Sequence, residues 1–314
     1  MTPTKEQMTM KQMMSRRAVV RVPSGPASIE TIDVPVVEPG PGELRVKIGA
    51  AAINPVDLGV AGGLFHQLAL VDQPDYTGLG WDFAGTVEAT GPGVELPGGT
   101  RVAGFIDGFD RDHGSHAEHL LVPAANVAVV PDGLDLVEAA TVPLNATAAA
   151  QLVDLLGVAP NDARRLLVTG AAGAVGAYVA VLAKDRSWQV TGMARAADEQ
   201  FVRGLGVDFT TDLGQAWDAV ADAGALQEDA FRAVREGGRF IGMQPAARLL
   251  EERGIAVEVV FARPDGALLA GLLARVATGE LPARVHAVAP LDDVAGAYQA
   301  MAQGSIRGRI VLVP

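Results

Sequence analysis

No cysteine occurs anywhere in the 314 residues. That absence excludes disulfides, thiolate zinc sites, iron–sulfur clusters and a thiol nucleophile, so any chemistry must come from a cofactor or from oxygen and nitrogen groups. Positive charge is also scarce: 25 Lys and Arg stand against 37 Asp and Glu, a formal charge of −12. Polyanion recognition outside a preformed pocket needs clustered cations, so nucleic acid is not an expected partner. Long apolar runs are almost missing. Residues 166–183 are uncharged and long enough for a membrane span, but Gly170, Gly173 and Gly176 interrupt them and no other segment suggests insertion, so no membrane partner is expected. The first 17 residues lack the apolar core of a secretory signal. Residues 1–15 read as a disordered, Met-rich leader, with Met13 or Met14 as a conceivable start, and the location implied is cytoplasmic.

What is present is an ordinary globular balance, 49% hydrophobic and 20% charged, in a chain long enough for two domains with full cores. Strand patterns dominate the first part, at 17–22, 44–48, 83–88, 100–103 and 119–122, with Gly and Pro clusters between them. Near Ala139 the texture changes. Helical patterns at 146–156, 176–183, 198–205 and 227–234 alternate with strand patterns at 166–168, 189–191, 219–221 and 239–243. Such alternation predicts a parallel sheet covered by helices on both faces. A further strand is expected at 255–261 and an amphipathic helix at 265–277, bounded by Asp265 and Gly279.

The segment Leu166-Leu-Val-Thr-Gly-Ala-Ala-Gly-Ala-Val-Gly176 reads as a buried strand, a glycine turn and a helix start. Gly170 allows the sharp turn, Gly173 lets backbone approach a diphosphate, and Gly176 lets the helix pack closely on the sheet; Ala171, Ala172, Ala174 and Val175 complete the cradle. Where NAD-binding units carry an acidic residue about twenty positions later, this chain has Met193-Ala194-Arg195. Arg195 is suited to a 2′-phosphate, which favours NADPH/NADP+ over the NAD pair; the alternative is a solvated surface arginine.

Several ordered motifs share a family spacing: Ala51-Ala-Ile-Asn-Pro-Val-Asp57, Gly80-Trp-Asp-Phe-Ala-Gly-Thr-Val-Glu88 with Gly91-Pro-Gly-Val94, Ala139-Ala-Thr-Val-Pro-Leu-Asn-Ala-Thr-Ala148, the glycine turn, and Gly304-Ser-Ile-Arg-Gly-Arg-Ile-Val-Leu312. From Arg16 to the last residue the chain resembles the medium-chain dehydrogenase/reductase superfamily, in its zinc-free quinone oxidoreductase and enoyl reductase branch. The resemblance implies an α/β protein of two parts: a GroES-like β-rich substrate domain (16–145 and 263–314) and a Rossmann, doubly wound nucleotide domain (146–262). It places Asn54, Thr147, Ala223, Gly224, Met243, Gln244 and Arg307 beside the cofactor. Zinc-dependent relatives carry a cysteine ligand where this chain has Asn54 and a histidine ligand where it has Trp81, so no metal is expected.

The pattern His113-x-x-His116-x-x-His119 is metal-like, but period-three spacing does not gather three side chains on a strand. Without a metal, the chemistry implied is direct hydride transfer to a quinone or an activated, α,β-unsaturated C=C. A tyrosine that enoyl reductases often place after the Asn-Pro-x-Asp segment is missing, and Asp57, His66 and Tyr76 stand as local proton-donor candidates beside water. The resemblance also implies a homodimer. Two rival readings stay open: a biosynthetic enoyl or ketone reductase of a secondary pathway, and a non-enzymatic, crystallin-like NADPH-binding protein.

Overall fold

The computed structural model describes residues 12–162, 164–243, 253–304 and 306–314. Six parallel strands lie in the spatial order Asp208–Thr210, Gln189–Met193, Arg165–Thr169, Trp217–Asp222, Val234–Gly242, Ala256–Val259. Counted in chain order this is 3-2-1-4-5-6, the doubly wound arrangement whose switch point falls between Arg165–Thr169 and Trp217–Asp222. Leu166, Leu167 and Val168 are all fully buried, as a strand covered on both faces requires. The helix Ala174–Asp185 follows the glycine turn and buries its Ala, Val, Leu and Tyr178 side chains against the sheet. The uncharged stretch 166–183 is thus a strand, a turn and a helix. Among the described residues no helix is long and apolar enough to cross a membrane.

The remaining strands build a three-stranded antiparallel sheet (Ile29–Pro35, Met14–Val20, Thr77–Gly78) and a seven-stranded one centred on Glu43–Ala52 and Asp82–Thr90. Arg309–Val313 returns to pair antiparallel with Glu43–Ala52, Val311 opposite Ala52 and Leu312 opposite Ala51. The end of the described chain therefore completes a sheet begun by its first third, which makes the β-rich part a GroES-like unit interrupted by the Rossmann unit.

Local differences from the sequence reading have simple causes. The first strand begins at Met14, so Met14 and Ser15 of the expected leader are ordered strand paired with Pro35 and Val34. The helix expected over 227–234 shortens to Glu228–Arg232, because Val234 opens the strand that pairs with Trp217. The helix Gly266–Ala277 begins where expected: the Asp265 carboxylate accepts the Leu268 N–H at 2.9 Å. The helices Pro55–Ala61 and Val294–Ala302 and the strand Val285–Pro290 were not expected.

Candidate active site and cofactor cleft

At the switch point the chain narrows to backbone. Gly170 has φ +61°, and a Cβ built on it would lie 2.8 Å from the Gly224 Cα. A Cβ on Gly176 would sit 2.3 Å from the Gly170 carbonyl oxygen, whereas one on Gly173 would meet only that same oxygen, at 3.0 Å. Two of these glycines therefore let protein backbone close on itself, and Gly173 caps the following helix without any side-chain cap, leaving its N-terminus to a ligand. The Thr169 hydroxyl locks the two strand ends, donating to Asp222 at 2.5 Å and accepting the Gly224 N–H at 2.9 Å. The Thr147 hydroxyl, also fully buried, has no partner within the protein. Backbone cradle and orphaned hydroxyl together fit a dinucleotide.

Beyond Gln189–Met193 three cations gather near one carboxylate. Arg307 forms an ion pair with the buried Asp198, Arg195 approaches Asp198 at 3.6 Å, and Arg284 donates to the Ala172 carbonyl while lying over the Phe201 ring at 3.8 Å. The hydrogen bond from Arg307, which with the nearby arginine charges outweighs the opposing effect of burial, leaves the Asp198 carboxyl below its ordinary value, so it stays ionised and committed to the arginines. Arg195 is mostly exposed, 63% for its side chain. Arg284 was missed by the sequence reading, because nothing in its local pattern points to the glycine turn 112 positions away.

The second half of the cleft is a buried polar network. Asn54 ends the run from Glu43–Ala52 and its amide N–H donates to Asp57 at 2.7 Å, closing the start of Pro55–Ala61. The Asn54 side chain donates to Asp82 at 2.7 Å and accepts from Asn145 at 3.0 Å, and the Asn145 carbonyl accepts from Arg309 at 2.6 Å. Asp82 also accepts the Leu144 N–H at 2.6 Å, and Asp57 the Gly80 N–H at 3.1 Å. Burial pushes both carboxyls up to about 7, against the pull of these N–H donors and of Arg111 on Asp57 and Arg309 on Asp82. Asp82, Asn145 and Arg309 are functional neighbours that the sequence reading did not name; separations of 91 and 164 positions hide such a network from any local pattern.

The expected site residues divide. Asn54 and Asp57 are joined as described, and both Asp57 oxygens are held by backbone N–H groups. His66 lies one residue beyond the buried Phe65, half-buried, its Nε2 3.5 Å from the Thr77 hydroxyl and its Nδ1 unpartnered. Tyr76 is elsewhere: it sits beside Arg21 and lines an open groove of about 470 Å³ with Ser15, Arg17 and His113. Gln244 lies outside the described residues. The three histidines diverge, His113 to Asp112 at 2.9 Å, His119 to within 3.6 Å of Glu88, and His116 inward to the Tyr298 hydroxyl at 2.9 Å.

At the position where a zinc would need ligands stand the Asn54 amide, already spent on Asp82 and Asn145, and the Trp81 indole, which has no lone pair to give. Among the described residues no three His, Asp or Glu side chains are grouped to hold a cation. These residues do not fit a zinc.

Known proteins agree with this geometry. Residues 40–132 match the family model described as alcohol dehydrogenase GroES-like domain, and residues 195–312 the one described as zinc-binding dehydrogenase. The chain is 29% identical over 290 residues to a 2-methylene-furan-3-one reductase of Solanum lycopersicum, covering 87% of this chain and 72% of that protein. It is 32% identical over 241 residues to the pikromycin polyketide synthase component PikAII of Streptomyces venezuelae, which takes in 70% of this chain but only 6% of that synthase. In fold it superposes on the quinone oxidoreductase from Coxiella burnetii with a TM-score of 0.85 at 20% identity, over 96% of this chain and all of that one. With the motifs, the switch-point cradle and both family models in agreement, the chain belongs to the medium-chain dehydrogenase/reductase superfamily of oxidoreductases.

Proposed function

We propose that the protein is an NADPH-dependent, zinc-independent reductase of quinones or of alkenes conjugated to a carbonyl. The observation that carries this reading is the dinucleotide cradle at Gly170–Gly176 opening toward Arg195, Arg284 and Arg307, with Asp198 held by the arginines rather than free for a ribose. Arg195 and Arg307 would take the 2′-phosphate, the helix N-terminus at Gly173 the diphosphate, and Thr147 the nicotinamide end. The bound cofactor supplies a hydride. The Asn54–Asp82–Asn145–Arg309 network fixes the floor beside it through hydrogen bonds of 2.6–3.0 Å within the protein. Proton delivery is assigned to His66 or to water reaching the same segment, since Asp57 is fully occupied and Tyr76 faces a separate groove.

The test is titration with NADPH and NADH, wild type against Arg195→Ala, followed by a screen of quinones and enones. Preferential NADPH binding that weakens about ten-fold or more in the variant is the expected result. Binding of neither nucleotide would remove the reductase reading. The polyketide synthase similarity favours a second reading, a biosynthetic enoyl reductase acting on acyl thioesters, which the same screen extended to an enoyl thioester separates. We also propose a cytoplasmic homodimer, joined at the edge strand Ala256–Val259, which light scattering on the purified protein would test.

A further inference from the structure

The chain has three tryptophans. Trp188 donates its indole N–H to the Gly157 carbonyl at 3.0 Å, and Trp217 donates to the Leu213 carbonyl at 2.6 Å. The N–H of Trp81 is buried and has no partner, although the residue is only 6% exposed. Buried donors are nearly always satisfied, so one left open beside a reaction cleft points to a ligand atom.

The surroundings say which kind of atom. Trp81 stands between Gly80, whose N–H holds Asp57, and Asp82, which holds Asn54. Its ring meets Phe109 edge-on at 5.5 Å, and Phe109 stacks on Phe65 at 3.9 Å. Phe65 and Phe109 thus bring segments 58–76 and 105–116 together beside Trp81 as an aromatic cluster. Arg111 lies over the Trp81 ring at 5.1 Å and spends its own N–H groups on the Gly108, His113 and Gly80 carbonyls. A cation on the π face draws electron density from the indole and sharpens its N–H as a donor. An indole N–H donates only, so what it takes must be an acceptor, and an acceptor that gains negative charge gains most.

We propose that the Trp81 indole N–H receives the carbonyl oxygen of the substrate and so selects conjugated ketones, aldehydes and quinones. This rests on the reductase reading given above. In an enone, hydride from NADPH adds to the β-carbon, the C=C π pair moves into the bond between the α-carbon and the carbonyl carbon, the carbonyl π pair moves onto oxygen, and a proton from His66 or water then reaches the α-carbon, giving the saturated ketone and NADP+. The indole proton is not transferred; it meets the charge that develops on oxygen and stays on the indole when the saturated ketone departs.

The decisive measurement uses the full-length wild-type protein with ¹⁵N-labelled indoles, saturated with NADP+. Cyclohex-2-enone serves as the neutral probe and 4-nitrophenolate as the oxyanion probe. The Trp81 indole proton should move downfield with both, further with the phenolate, while those of Trp188 and Trp217 stay in place. In parallel, Trp81→Phe keeps the ring and removes the donor: NADPH affinity should be unchanged and kcat/KM for the enone should fall about ten- to a hundred-fold, mostly in kcat. A Trp81 resonance that neither probe moves, in protein that does reduce the enone, overturns the proposal and leaves the reductase reading intact. Protein that binds NADPH yet reduces no quinone or enone removes that reading instead, and the indole spectrum then judges the oxygen contact separately. The spectrum is recorded on wild type, so it stands even where the Phe variant folds poorly.

Discussion

Replacing Asp82 by Asn should lower stability in acid and raise it at neutral and higher pH. In the wild type, burial raises the Asp82 carboxyl from an ordinary 3.8 to about 7, so between about pH 4 and pH 7 the folded chain holds a proton that the unfolded chain has released. Folded-state stability therefore declines as pH rises across that window, by at most about 1.4 kcal/mol per pH unit and roughly 4 kcal/mol in all. The amide that replaces the carboxyl cannot ionise and escapes this decline. Its cost is geometric: Asp82 accepts from both the Leu144 N–H and the Asn54 side chain, and an amide can offer oxygen to only one of them, leaving a buried N–H facing an NH₂ at about 1–3 kcal/mol. At pH 4 the geometric cost dominates and the variant should be the less stable. At pH 8 the relief of about 4 kcal/mol exceeds that cost, and the variant should match or surpass the wild type. Urea unfolding of both proteins at pH 4, 5, 6, 7 and 8 reads the difference directly, with the crossing between about pH 4.5 and pH 6. A stability difference independent of pH would refute the reasoning, showing Asp82 ionised throughout by its two N–H donors.

Other expectations follow from single contacts. Gly176→Ala places a methyl 2.3 Å from the Gly170 oxygen, with backbone on both sides, so calorimetry should show nucleotide binding lost or weakened at least ten-fold. Tyr298→Phe leaves the fully buried His116 Nδ1 without its donor and should cost about 1–3 kcal/mol in urea unfolding, with the fold otherwise retained. Burial lowers His116 to about 3, so its ring should show no protonation by ¹H–¹⁵N spectroscopy between pH 8 and pH 5; because the unfolded ring takes up a proton first, this residue's contribution to stability is lost as pH falls through about 6.5 toward 3.

The nucleotide half was legible because its signals are local. A run such as Leu166-Leu-Val, a turn of three glycines and an alanine-rich helix each announce themselves within a dozen residues, and they lie in the structure where the pattern put them. The site half was legible only in fragments. Asn54 and Asp57 stand three apart in one motif and were found together. Asp82 and Asn145 were quoted in motifs without a role, and Arg309 lay in the last motif unremarked, because what joins them is sheet pairing that folds the chain end back onto residue 52. Tyr76 shows the reverse failure. Nearness in sequence to the Asn-Pro-x-Asp segment suggested nearness in space, but Thr77–Gly78 pairs with Met14–Val20 and carries Tyr76 to the other groove. The Trp81 N–H was invisible for another reason, since a satisfied and an orphaned indole look alike in sequence.

The return of Arg309–Val313 into the first β-sheet fixes an order of events during synthesis. Domains form as units from the N-terminal side as a chain emerges, but here Asn54, Asp82 and Asn145 are all made long before the guanidinium that completes their network. Until residue 309 arrives, the half-built cleft holds two carboxyls with no Arg309 charge beside them, so neither has yet reached its final balance of protonation. The Rossmann unit, whose strands are contiguous in the chain, faces no such wait. Nascent chains arrested before and after residue 309 should therefore differ sharply in protease resistance at the β-rich part and little at the nucleotide part.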